Sequence, residues 1–115
     1  MIAIVDYGMG NLNSVFKALE LACLNIGLDQ SIKITHDKKD IENSNAVILP
    51  GVGSFGYAMQ HLKDYDLVDT LKKVVLLDEY KKPFLGICLG YQLMFDKSYE
   101  DGKFVGLGLL SGEVK

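Results

Sequence analysis

Cys88 stands in Gly86-Ile87-Cys88-Leu89-Gly90, after the apolar pair Phe84-Leu85 and before the apolar segment Tyr91-Gln92-Leu93-Met94-Phe95. The pattern predicts a strand, a sharp turn and a helix, with a thiol at the apex. Gly-x-nucleophile-x-Gly at such a junction is the elbow on which α/β hydrolytic enzymes mount their nucleophile. The requirement is steric: the apex residue is strained, and side chains two positions away would collide across the turn. The same turn puts the thiol at a helix N-terminus, where the dipole and free N–H groups favour thiolate. A lone cysteine is more often a buried core residue. The paired glycines and the strand-to-helix context are what argue for a nucleophile here.

A second loop could serve that thiol. Pro50-Gly51-Val52-Gly53-Ser54-Phe55-Gly56 follows the apolar run Ala46-Val47-Ile48-Leu49. A thiolate that attacks a carbonyl creates an oxyanion, which backbone N–H groups must meet. The N–H of Leu89 is one natural donor, and glycine at Gly51 and Gly53 would let a neighbouring strand end turn another toward the thiol. Gly51, Gly53 and Gly56 also spell the glycine spacing of a dinucleotide loop. Its context is missing, because the loop is not in the first strand–helix turn and no acid ends a following strand; residues 71–77 read as helix.

These residues need a scaffold, and the sequence supplies one. Ile2 to Val5 and Ala46 to Leu49 are short continuous apolar runs suited to strands buried on both faces. Residues 31–35 alternate and predict a weaker strand, and Phe84 to Ile87 feeds the elbow. Leu12, Val15, Phe16, Leu19 and Cys23 recur at helical spacing behind Asn11, a fitting cap. Residues 37–45 read as a short helix or loop, and helices are predicted over 55–62 and 67–75. Strands alternating with helices imply a largely parallel sheet with helices on both faces, whose sites gather at the carboxyl ends of the strands.

The chain has 115 residues, 49% hydrophobic and 23% charged, the size and balance of one soluble α/β domain. No apolar run approaches the ~18 residues of a membrane span, and the N-terminus lacks the basic start of a signal peptide. Two cysteines suit a reducing cytoplasm and carry no metal-ligand spacing; no metal or cofactor is expected. The net charge of −3 argues against a nucleic-acid partner.

Three segments in order carry a family resemblance: Asp6-Tyr7-Gly8-Met9-Gly10-Asn11-Leu12, the loop from Leu49 to Gly56, and Gly86 to Leu93, with the closing residues 106–112 also fitting. Together they resemble the class I (triad-type) glutamine amidotransferases, most nearly the glutamine amidotransferase subunits of imidazole glycerol phosphate synthases, over essentially the whole chain. The resemblance implies a flavodoxin-like α/β domain, residues 1–115 being its N-terminal part. It implies hydrolysis of L-glutamine to glutamate and ammonia, which passes to a (β/α)₈-barrel cyclase subunit for imidazole glycerol phosphate formation in histidine biosynthesis. By position it makes Cys88 the nucleophile and Gly51, Val52 and Leu89 the oxyanion region. Gln92 and Glu100 would hold the substrate glutamine.

The family's His-Pro-Glu stretch has no counterpart among these residues. The two histidines, His36 and His61, precede the nucleophile, match no motif and read as solvated surface residues. The chain is therefore expected to be a fragment and, alone, nearly inactive. Two alternatives stay open: a paralogous amidotransferase feeding a sugar acceptor in surface-polysaccharide synthesis, and a partner-binding module without chemistry.

Overall fold

The computed structural model describes residues 1–77, 79–98 and 104–114. Four parallel strands, β1 (Ile2–Val5), β2 (Ile32–Thr35), β3 (Ala46–Leu49) and β4 (Phe84–Gly86), form a sheet in the order β2-β1-β3-β4. Helix α1 (Leu12–Asn25) links β1 to β2 and α2 (Lys38–Asn43) links β2 to β3. Helices α3 (Phe55–Asp64) and α4 (Val68–Leu76) precede β4, and α5 (Leu89–Leu93) follows it. The predicted parallel α/β architecture is present, with each predicted strand and helix within a few residues of its expected bounds. The ambiguous stretch at residues 37–45 is helical for two local reasons. The Asp37 carboxylate caps it by accepting from the Lys39 N–H at 2.8 Å, and Ile41 is buried in the core.

The two faces of the sheet are covered unequally. Ala3, Val5, Val47 and Leu49 pack under Ile41 of α2, under Phe55 and Leu62 of α3, and under Leu71 and Val74 of α4. Each buried aliphatic side chain there contributes about 1.5–3 kcal/mol relative to exposure. On the opposite face, among the described residues, α1 is the one helix that covers Ile2, Ile4 and Ile48, through Leu12, Val15, Phe16, Leu19 and Cys23. Beside α1 an apolar groove of about 400 Å³ runs over Ile48, Leu85 and Ile87, and Leu85 is 56% exposed.

A parallel sheet is stable when both faces are covered. The 115-residue chain in isolation should therefore bind a hydrophobic dye such as anilinonaphthalene sulfonate or self-associate. A monomer that ignores the dye and melts sharply would contradict this.

Helix α5 stops at Leu93, short of the apolar segment's end at Phe95. Its last turn tightens instead, the Met94 N–H donating to the Tyr91 carbonyl and the Phe95 N–H to the Gln92 carbonyl, both at 3.2 Å, and the carbonyls that follow are taken by another segment. Leu93 accepts from the Leu107 N–H, Met94 from Leu109 and Leu110, and Phe95 from Gly108, all at 2.7–3.1 Å. Beyond it lies a small mixed sheet that no periodicity announces: β5 (Lys97–Ser98), β6 (Phe104–Val105) and β7 (Glu113–Val114), in the order β6-β5-β7. Among the described residues no helix is long and apolar enough to cross a membrane.

Candidate active site

Strand order decides where a site forms. From β1 the chain runs outward to β2, then returns to place β3 on the other side of β1. The loops after β1 and β3 thus diverge from neighbouring strands, and such a switch point opens a crevice at the carboxyl ends. Ile4 pairs with Ile48, and Leu49 with Gly86, so the loops after β1, β3 and β4 emerge together.

Cys88 sits at the third of these loops with φ 55° and ψ −121°, a left-handed conformation for a residue with a side chain. Such strain costs on the order of 1–3 kcal/mol and persists only where the surroundings enforce it. The flanking glycines show how. A Cβ on Gly86 would fall 2.6 Å from the Tyr91 Cα, and one on Gly90 would fall 1.9 Å from the Leu49 carbonyl oxygen. Helix α5 is pressed onto the ends of β3 and β4, and only glycine at both positions lets it lie there. The Ile87 N–H donates to the Leu49 carbonyl at 3.0 Å, which locks the elbow to β3. Cys88 is exposed, whereas Cys23, on the inner face of α1, is buried against the sheet.

The exposed thiol opens on a groove of about 360 Å³ lined by Gly51, Val52, Gly53, Cys88, Leu89, Tyr91 and Gln92. Sequence reasoning singled out Cys88, Gly51, Val52, Leu89 and Gln92, and the fold brings all five together. Glu100 lies outside the described residues. Tyr91, half-exposed on the rim and edge-on to Phe95, is an addition.

One contact defines the state of the groove. The Leu89 N–H donates to the Gly51 carbonyl at 3.2 Å. An acceptor thus occupies the place where an oxyanion would seek a donor. Turning the Gly51–Val52 peptide over would withdraw that carbonyl, release the Leu89 N–H and swing the Val52 N–H inward. One rotation would supply two donors.

The residue that sequence reasoning missed is Tyr7. It is fully buried, and its hydroxyl donates to the Pro50 carbonyl at 2.6 Å, across a sequence separation of 43 residues. Burial pushes the phenol well above its ordinary range, so it remains a donor. Nothing in Asp6-Tyr7-Gly8 signals this, since a tyrosine in a glycine turn reads as exposed.

His61 departs from expectation too. It is half-buried, with Nδ1 3.1 Å from the Tyr7 carbonyl oxygen and its ring stacked at a tilt on Tyr57. The apolar face of α3 turns it inward over the β1 loop. His36 is exposed beside Tyr65, as its place at a strand end predicts. Neither histidine lines the groove at Cys88.

Comparison with known proteins gives this geometry a family. The model of the glutamine amidotransferase class-I family matches residues 3–101. The chain is 47% identical over 111 residues to imidazole glycerol phosphate synthase subunit HisH of Aquifex aeolicus, covering 96% of this chain and 50% of that protein. It is 51% identical over 115 residues to the same subunit of Bacillus cereus, covering 100% of this chain and 51% of the relative. Subunit HisH 1 of Campylobacter jejuni is 46% identical over 115 residues, covering 99% of this chain and 53% of its own length. The chain spans about half the length of these curated relatives. With a strained cysteine elbow facing a glycine-rich strand end, and a family model matching most of its length, the chain belongs to the class-I glutamine amidotransferases.

Proposed function

We propose that this chain is the nucleophile-bearing part of a glutaminase subunit of imidazole glycerol phosphate synthase. The observation that carries the reading is the exposed thiol of Cys88, held at positive φ over a groove shared with Gly51, Val52, Leu89 and Gln92. In this reading the Cys88 thiolate attacks the side-chain carboxamide of L-glutamine. The tetrahedral oxyanion is met by the N–H groups of Leu89 and, after rotation of the Gly51–Val52 peptide, Val52. Collapse expels ammonia and leaves a glutamyl thioester, which water hydrolyses to glutamate.

Gln92 lies one helical turn beyond the nucleophile, on the groove wall, where its amide can orient the substrate. Glu100 is assigned to the substrate's α-ammonium by charge complementarity. The general base would come from the part of the relatives' length that this chain does not span. Ammonia would then pass to a (β/α)₈-barrel cyclase subunit in a cytoplasmic heterodimer, serving histidine biosynthesis. The relatives' name, a synthase subunit, supports a partnered enzyme.

The test is chemical. A diazoketone analogue of glutamine (6-diazo-5-oxo-L-norleucine) should label Cys88 in the native-length protein and leave Cys23 unmodified, because Cys23 is buried between α1 and the sheet. Peptide mass spectrometry reads the outcome. Equal labelling of the two thiols, or none at Cys88, would remove the basis of the assignment.

A further inference from the structure

We infer that Tyr7 is a positioning residue for the oxyanion donors, its hydroxyl pinning the Pro50 carbonyl so that only the next peptide, Gly51–Val52, turns. The inference rests on the glutaminase reading above and extends it to a residue on a different strand loop.

The geometry supports it at three points. The Tyr7 hydroxyl donates to Pro50 at 2.6 Å, in a fully buried setting where no solvent competes. The loop rests directly on the phenol, for a Cβ on Gly51 would lie 2.6 Å from the Tyr7 oxygen. Tyr7 is itself fixed, with its carbonyl against His61 Nδ1 at 3.1 Å and its ring in the core with Leu49, Phe55 and Leu89. The peptide that would have to rotate begins at the residue after the pinned one. Its own carbonyl is the one that accepts from the Leu89 N–H in this conformation.

The pin therefore divides the loop. The Pro50–Gly51 peptide is held, and the freedom of glycine is spent on one rotation about Gly51 and Val52. Without the hydroxyl, the Pro50–Gly51 peptide would share the rotation, and the Val52 N–H would be spread over many orientations instead of one. Removing a donor's alignment weakens the transition state in which charge sits on oxygen, and leaves the thiol itself untouched.

That distinction gives the experiment. Two reagents are used on the native-length protein and its Tyr7→Phe variant. Glutamine hydrolysis passes through a tetrahedral oxyanion, whereas iodoacetamide alkylates the thiolate by displacing iodide and forms none. Tyr7→Phe keeps the buried ring and removes only the hydroxyl.

Its glutamine kcat should fall about 5–10-fold, the effect of one well-aligned buried hydrogen bond. KM and the iodoacetamide rate should stay within about twofold. A parallel fall in kcat and in the iodoacetamide rate, or no change in either, would overturn the inference. If the wild type itself is not labelled by the diazoketone, the glutaminase reading fails instead, and the two failures are told apart.

Should Tyr7→Phe not fold, 3-fluorotyrosine at position 7 keeps the shape and sharpens the donor. The ratio of glutamine kcat to the iodoacetamide rate should then rise, and an unchanged ratio would overturn the proposal.

Discussion

On the proposed glutaminase reading, glutamate release by the 115-residue chain alone should lie at least ~10²–10⁴-fold below that of a protein of the relatives' full length bound to a cyclase partner. General-base assistance typically contributes that factor, and neither histidine of this chain is placed to give it. His61 Nδ1 is engaged at the Tyr7 carbonyl, His36 lies against Tyr65, and the groove at Cys88 is lined by neither. The loop adds a second deficit. With the Leu89 N–H bonded to the Gly51 carbonyl, the oxyanion lacks a donor, and one missing donor typically costs ~10²–10³-fold in turnover. Docking of a partner at the shared strand ends is a physical route to turning that peptide, since the loops after β1 and β3 abut there; Gly10 would place a Cβ 3.5 Å from Pro50. The measurement is glutamate release by the short chain, the native-length protein, and the latter with partner and acceptor. Appreciable turnover by the short chain would make His36 or His61 a base, and the assignment of the site would have to be withdrawn.

Substituting Gly90 by alanine should be the most damaging single change at the elbow. The new methyl would sit 1.9 Å from the Leu49 carbonyl oxygen, a backbone atom that already accepts from the Ile87 N–H. Relief requires α5 to lift away from β3, which carries Cys88, Leu89 and Gln92 out of register with Gly51 and Val52. Overpacking of this kind costs about 1–3 kcal/mol or more, and a displacement of ~1 Å at reacting groups can cost ~10²-fold in rate. Gly27→Ala is the control. Unlike Gly90 it occupies a positive φ, 69°, but a Cβ there meets nothing within 4 Å. Gly27→Ala should lose on the order of 1 kcal/mol through backbone strain and keep its turnover. A Gly90→Ala protein with wild-type melting and turnover would show that the elbow is not held by this contact.

The contrast between these glycines indicates what was legible in the chain. Gly86 and Gly90 were readable from spacing, because the elbow imposes a local steric rule on residues two positions from its apex. The strands at Ile2–Val5 and Ala46–Leu49 were readable from continuous apolarity, and α1 from its stripe and its Asn11 cap. The motifs also carried the family, since the residues that shape the elbow and its facing loop are consecutive.

The small sheet of β5, β6 and β7 was not legible, because strands of two residues are too short to show a period.

By itself, then, the sequence determined the nucleophile, the loop that faces it and the layered α/β scaffold, all of which depend on neighbours along the chain. Tertiary structure alone decided that Tyr7 reaches Pro50, that His61 turns inward on Tyr7, and that the Gly51 carbonyl holds the Leu89 N–H. Those contacts join residues 38 to 54 positions apart. They exist only because parallel pairing of β1, β3 and β4 brings three separate loops to one edge of the sheet.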